Sequence, residues 1–211
     1  MFPVLLDLTG KRAVVFGGGK IANRRVMKLL DAGAKVTVVS RDFHPGLKRR
    51  KVADLKLVKR EIKKGSGFIE NSDIVLIATD DTRLNDRLEK EARMLKKIVN
   101  RADVASDFII PATIRTGDVT VSISTGGKSP AVAKSIKKRI KRVLLSEDQY
   151  LIDIEEFARE KLKKTIKNQN RREKFLRELI NRSDIIEKMK NGDVNGAKRI
   201  LETMINAYDK H

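Results

Sequence analysis

The chain has 211 residues, 47 of them Lys or Arg and 28 Asp or Glu, for a formal net charge of +19; apolar residues make up 40%. The apolar residues recur periodically, which excludes global disorder, and the length sets one to two domains. No apolar run approaches the roughly 18 residues of a membrane span, and the absence of Cys removes disulfides, thiolate zinc sites and Cys nucleophiles. The excess of basic residues points to an anionic partner (nucleic acid, membrane surface or small molecule) or to a heat-adapted composition. With 4% aromatics and no Trp, a stacking platform for single strands is disfavoured.

The opening MFPVLLDLTGKR has neither the basic segment nor the small-residue cleavage site of a secretory leader, so a cytoplasmic protein is expected. Residues 12–16 (RAVVF) read as a strand and Gly17-Gly18-Gly19 as a tight turn. Residues 21–32 place Ala22, Val26, Leu29 and Leu30 on one helical face, stopped by Gly33. Residues 35–39 (KVTVV) form the next strand and 55–58 a weaker one. Residues 74–78 (IVLIA) are continuously apolar, as a strand buried on both faces requires. A helix follows over 82–96, with Leu84, Leu88, Ala92 and Leu95 in register, then a short strand over 98–100. This alternation predicts an α/β fold with a Rossmann-type, doubly wound parallel sheet. The pattern changes near residue 111. Residues 109–115 and 119–124 read as two strands around Thr116-Gly117-Asp118. Ser129 caps and Pro130 opens a helix with Val132, Ile136, Ile140 and Val143 on one stripe. From about residue 146 the pattern is all helical, with Asp184 and Asp193 as caps. The organisation expected is an α/β domain over 1–111, a strand–strand–helix unit over 112–145 and a helical domain over 146–211.

Gly17-Gly18-Gly19-Lys20-Ile21-Ala22 fits G-x-G-x-x-A between a strand and a helix, the context that gives the motif meaning. Gly17 permits the turn, Gly19 lets the backbone approach a pyrophosphate, and Ala22 permits close helix–sheet packing. The helix N-terminus adds free N–H groups and a positive dipole end. A dinucleotide is therefore expected on these six residues; the alternative is a structural turn that binds nothing. The acid that would bind a ribose hydroxyl at the end of the second strand is absent, Ser40 standing there with Arg41 and Asp42 after it. Ser40 and Arg41 leave NAD and NADP both open, Arg41 being a 2′-phosphate ligand or a solvated cation. Ala78-Thr79-Asp80-Asp81 ends a strand at the ligand crevice of such a sheet, with Asn85 one turn on; Asp80 or Asp81 is also a helix cap.

Asp103, in Asn100-Arg101-Ala102-Asp103 at the same sheet edge, is a proton acceptor or a solvated loop carboxylate. Ser124-Thr125-Gly126-Gly127-Lys128-Ser129-Pro130 precedes a helix; it binds carboxylates or phosphate, or is a turn and an N-cap. Residues 137–142 hold five basic residues in six, a polyanion surface or a solvated face. His44 and His211 have no ligand spacing, so no metal site is expected.

The segments FPVLLDLTGKRAVVFGGGKIANRRVMKLLDAGAKVTVVS, IATDDTRLN, VNRADVASDFIIPATI and VSISTGGKSPAVAKSIKKRI, in that order, resemble the precorrin-2 dehydrogenase family, also found as the N-terminal part of siroheme synthases. The resemblance covers residues 1–145 closely and the tail by pattern. It implies NAD-dependent dehydrogenation of precorrin-2 to sirohydrochlorin in siroheme biosynthesis; some members also insert ferrous iron. By the same resemblance, Asp103 is the candidate general base, Gly17, Gly18, Gly19 and Lys20 the cofactor loop, and Thr79, Asp80 and Asn85 a second cofactor motif. It places Ser124, Gly126, Gly127, Ser129 and Pro130 near substrate, makes 112–145 a dimerisation unit and implies a homodimer. Two departures stand out: the loop between Asp103 and Phe108 is shorter than in typical members, and little His accompanies Asp103. A tetrapyrrole bearing many carboxylates suits a basic protein, with Arg115, Lys128 and residues 134–142 as its partners. A rival reading, a Rossmann-type redox sensor gripping nucleic acid, predicts salt-sensitive binding but finds no helix-turn-helix signature here.

Overall fold

The structure, a computed structural model, describes residues 2–104, 106–144 and 147–209. The chain divides into two units, Met1–Ile110 and Pro111–His211. The first contains β1 (Arg12–Phe16), α1 (Lys20–Asp31), β2 (Lys35–Ser40), α2 (Pro45–Lys48), β3 (Leu55–Lys59), α3 (Ser66–Glu70), β4 (Ile74–Ile77), α4 (Thr82–Met94) and β5 (Ile98–Arg101). The five strands are parallel in the order β3-β2-β1-β4-β5. Strand order therefore reverses between β1 and β4, and the crevice of such a sheet opens at their carboxyl ends.

Side-chain alternation along β1 builds two cores. Ala13 and Val15 face one side with Val36, Val38, Ile74 and Leu76, where Ala22, Val26 and Leu29 of α1 pack on them. Val14 and Phe16 face the other side with Val75, Ile77 and Val99, and meet Ile69 of α3 and Leu84, Leu88 and Ala92 of α4. Full burial of each Val, Leu or Ile contributes roughly 1.5–3 kcal/mol, so both faces hold the sheet rigidly under the site. The short helices α2 and α3 were not expected, because four or five residues show no helical period. After β5 the chain is pinned back onto that strand. Asp107 accepts the Val99 N–H (2.9 Å), Ser106 Oγ accepts the Arg101 N–H (2.7 Å), and Asn100 Nδ2 donates to the Phe108 carbonyl (2.7 Å).

In the second unit β6 (Ala112–Thr116) and β7 (Val119–Ile123) pair antiparallel. Helix α5 (Pro130–Val143) packs Ala133, Ile136 and Ile140 onto Ile114 and Ile123. Helices α6 (Glu147–Thr165), α7 (Gln169–Leu179), α8 (Ser183–Lys190) and α9 (Val194–Asp209) share a separate core including Ile154, Leu162, Phe175, Ile185 and Leu201. Gln149 of α6 accepts the Asp118 N–H and donates to the Asp118 carboxylate, both at 2.8 Å, tying the β6–β7 turn to α6.

The structure departs from two sequence expectations. The buried row of α5 starts at Ala133, not Val132, and runs through Ile136, Ile140 and Leu144, leaving Val132 50% and Val143 77% exposed. Asp184 does not cap α8: Arg182 is the N-cap, and Asp184 sits in the first turn, paired with it at 2.6 Å. Asp193 does serve as a cap, accepting the Gly196 N–H at 2.8 Å. Among the described residues no helix is long and apolar enough to cross a membrane.

Candidate active site

The turn after β1 brings the glycine loop to the switch point. Gly17 has φ +104°, and a Cβ there would lie 2.3 Å from the Ala78 carbonyl oxygen, so only glycine fits between the ends of β1 and β4. A Cβ at Gly18 would collide with the Asp42 carbonyl at 2.0 Å, whereas one at Gly19 would meet nothing within 4 Å. Gly19 is the N-cap of α1, with no side-chain cap and no acid in the first turn. The first N–H groups of α1 thus have no side-chain acceptor and its positive dipole end has no counter-charge. Lys20 and Ile21 are exposed beside it, while Ala22 is fully buried against the sheet. A sterically required turn, an open approach and free donors together fit the pyrophosphate of a dinucleotide.

Ser40 ends β2, half-buried. Arg41 pairs with Glu61 at 2.7 Å, with the side chains 75% and 52% exposed. So exposed a pair adds little stability, but it places a carboxylate against the Arg41 charge. Glu61, beyond β3, was not singled out in the sequence, since it lies far in the chain from Ser40.

The second motif is divided between structure and site. Asp81 is the N-cap of α4, accepting the Leu84 N–H at 3.0 Å, and Asp80 is left exposed. Thr79 Oγ1 donates to Asn85 Oδ1 at 2.5 Å, and buried Asn85 donates through Nδ2 to Asp103 Oδ2 at 3.2 Å. Thr79, Asn85 and Asp103 therefore form one chain of contacts at the carboxyl ends of β4 and β5.

Asp103 is held further by Arg101, whose Nε donates to Oδ1 (3.0 Å) and Nη2 to Oδ2 (2.7 Å). The remaining nitrogen, Nη1, donates to Asp86 (2.6 Å) and Glu89 (2.8 Å) of α4. The Arg101 side chain is only 4% exposed. Its hydrogen bonds, aided by Asn85 and opposed by burial, hold the Asp103 carboxyl at about 2. The Glu89 carboxyl is also lowered, first by Arg101. Arg25 of α1 reaches across to donate to the Arg101 carbonyl (2.9 Å) and the Ile77 carbonyl (3.5 Å). Burial lowers its pKa, with Arg24 adding and Asp103 opposing. Asp103 is thus a fixed anion at neutral pH, weak as a base and well placed to stabilise positive charge.

Arg101, Arg25, Asp86 and Glu89 were missed in the sequence. The available signal was strand parity: Arg101 is two residues after buried Val99, on the same side of β5 as α4. Asp86 and Glu89 are three residues apart on α4, a spacing that puts both toward one neighbour.

Arg115, Ser124, Gly126, Gly127, Lys128 and Ser129 all belong to the second unit. The hydroxyls of their loop are engaged locally. Ser124 Oγ accepts the Gly126 N–H (3.1 Å), Thr125 Oγ1 accepts the Ser129 N–H (3.1 Å), and Ser129 Oγ caps α5 through the Val132 N–H (3.3 Å). The turn-and-cap alternative therefore accounts for these hydroxyls, while Lys128 and Arg115 are exposed. Among the described residues no three His, Cys, Asp or Glu come together to hold a metal ion.

The sheet order, glycine loop and crevice define a Rossmann dinucleotide-binding protein. A family described as "Putative NAD(P)-binding" matches residues 4–112, and one described as "Sirohaem biosynthesis protein central" matches residues 117–142. A Methanocaldococcus jannaschii protein named "Putative precorrin-2 dehydrogenase" is 34% identical over 209 residues, 92% of this chain and 100% of that one. The precorrin-2 dehydrogenase of Methanosarcina barkeri is 31% identical over 82% of this chain and 80% of its own. The siroheme synthase of Psychromonas ingrahamii is 30% identical over 96% of this chain, which spans 43% of that protein. Among solved structures, SirC, a precorrin-2 dehydrogenase, matches with a TM-score of 0.76 at 25% identity, over 99% of this chain and 100% of that one. The chain belongs to the precorrin-2 dehydrogenase family.

Proposed function

We propose that this protein oxidises precorrin-2 to sirohydrochlorin with NAD as hydride acceptor, as a step of siroheme biosynthesis. The observation that carries the reading is Asp103, a fixed carboxylate joined through Asn85 to Thr79 at the sheet edge where the glycine loop opens. Gly17 and Gly18 shape the turn, Gly19, Lys20 and Ile21 face the pyrophosphate, and Ala22 packs α1 onto the sheet behind them, while Thr79, Asp80 and Asn85 border the nicotinamide half. NAD, when bound, supplies the hydride acceptor. The Arg41–Glu61 pair favours NAD, because a 2′-phosphate next to Ser40 and Arg41 would have to displace Glu61.

The oxidation removes a hydride and a proton from the macrocycle. Hydride loss leaves positive charge on the pyrrole system, which the Asp103 carboxylate stabilises. The proton then leaves a cationic, strongly acidic centre, so a weak base suffices, and Asp103 accepts it. The net charge of +19 steers the polyanionic substrate.

The enzyme acts as a homodimer through the 112–145 unit, a role supported by the exposed Val132 and Val143 on α5. It works in the cytoplasm, in keeping with a chain without Cys. In Asp103→Asn, NAD binding stays intact and turnover falls about 10²-fold or more; full turnover removes Asp103 from the chemistry. The match to siroheme synthases favours a second activity, insertion of ferrous iron into sirohydrochlorin. Anaerobic Fe²⁺ with sirohydrochlorin then gives siroheme faster with the protein than without, and equal rates refute it.

A further inference from the structure

We propose that Arg101 is the positioning residue for Asp103, fixing both carboxylate oxygens in one orientation at the crevice while α4 holds the guanidinium in place. The proposal rests on the reading that Asp103 serves the oxidation. Every nitrogen of the Arg101 fork is engaged: Nε and Nη2 grip the two oxygens of Asp103, and Nη1 bridges Asp86 and Glu89. Two parallel bonds from a planar fork fix the plane of a carboxylate, which a single ammonium cannot do.

The support behind the fork is equally specific. Glu89 is gripped by Arg93 at 2.9 Å, and Arg93 also pairs with Asp107 of the loop that folds back on β5. From α1, Arg25 anchors the Arg101 backbone carbonyl, and from α4, Asn85 donates to Asp103. A buried guanidinium requires counter-charge. Asp103, Asp86 and Glu89 all provide it, three carboxylates on one guanidinium, so the group as a whole keeps net negative charge beside the crevice. Among the described residues, the charged groups joined to Asp103 directly or through Arg101 are Arg101 on β5, Arg25 on α1, and Asp86 and Glu89 on α4, with Arg93 behind Glu89. The depressed Asp103 carboxyl, caused first by Arg101, agrees with this geometry.

The test is a cycle of Arg101→Lys, Asp103→Asn and the double variant, assayed anaerobically with precorrin-2 and NAD. Arg101→Lys keeps the charge and loses the fork. Its kcat falls about 10- to 100-fold with KM for NAD unchanged, and in the Asp103→Asn background it has no further effect on kcat. In carboxyl ¹³C NMR of Arg101→Lys, the Asp103 midpoint rises from about 2 toward the usual carboxylate range. An unchanged kcat in Arg101→Lys, or the same loss in both backgrounds, overturns the proposal. Full turnover in Asp103→Asn instead refutes the parent reading, and the proposal falls with it. Should Arg101→Lys fail to fold, the pair Asp86→Asn and Glu89→Gln loosens the guanidinium from the α4 side. It should reproduce the kcat loss with Asp103 untouched; wild-type kcat there also overturns the proposal.

Discussion

Gly17 and Gly19 are two residues apart and are glycine for different reasons. At Gly17 the backbone is left-handed and a Cβ would press into the Ala78 carbonyl. Gly17→Ala therefore costs at least about 1–2 kcal/mol from the backbone conformation alone, before the clash, and lowers the melting temperature. At Gly19 φ is −76° and the surroundings are open. Gly19→Ala, with only the weaker N-cap preference of alanine against it, should lower the melting temperature much less than Gly17→Ala, yet weaken NAD binding markedly, since the new methyl group would stand in the proposed pyrophosphate approach. Calorimetric melting and NAD titration of the two variants check this. If Gly19→Ala binds NAD normally, the loop does not take the pyrophosphate as described. Asp103 shows the same separation of roles at one carboxylate: its hydrogen bonds make it a poor base in the resting protein and a well-oriented anion.

At the scale of elements, α4 joins the core to the site. Leu84, Leu88 and Ala92 bind it to the sheet, while Asn85, Asp86 and Glu89 reach Asp103 and Arg101 from the same helix. Its N-cap is Asp81, so Asp81→Ala should destabilise the first unit by about 1 kcal/mol, read as a lower urea midpoint. Exposed Asp80→Ala should leave that midpoint unchanged and alter only cofactor affinity. Equal destabilisation by both contradicts the division of roles. The regular elements were legible because burial on both faces leaves unbroken runs such as IVLI in β4, and helix packing leaves Ala22, Val26 and Leu29 in register. Helices α2 and α3 were illegible because four and five residues span little more than one turn, too few for an apolar repeat to show. On α5 the period is visible in the sequence but its phase is not, because the buried Ala133 is small and the neighbouring exposed Val132 offers more apolar surface. The glycine loop, Asn85 and Asp103 could be picked from residue types at strand ends. The Arg101 clamp could not, because its partners lie on a different element and depend on strand parity. In the Ser124–Ser129 loop the hydroxyls suited to an anion are also the ones that close a turn, so composition alone left both readings open.

At the scale of the whole molecule, charge has two consequences. On the proposed function the net charge of +19 steers a polycarboxylate substrate from a distance, so KM for precorrin-2 should rise with ionic strength while kcat holds. A flat KM contradicts steering. Stability should also depend on acid in one direction. Asp103 sits at about 2 in the folded chain, below the usual carboxylate value, and Glu89, Asp73, Asp184 and Asp193 are lowered too. In that range the unfolded chain binds more protons than the folded one. The stabilisation is therefore complete above the usual carboxylate range and is lost as pH falls through about 4 toward 2. Urea midpoints measured from pH 6 downward should show this decline, and Asp103→Asn should make it shallower; an unchanged slope contradicts the paired state of Asp103. The central claim is chemical, and its most direct test is anaerobic mixing of the protein with fresh precorrin-2 and either NAD or NADP, following reduced nicotinamide and sirohydrochlorin together. Matched growth of both signals, faster with NAD, is the result predicted; folded protein that produces neither signal with either cofactor contradicts it.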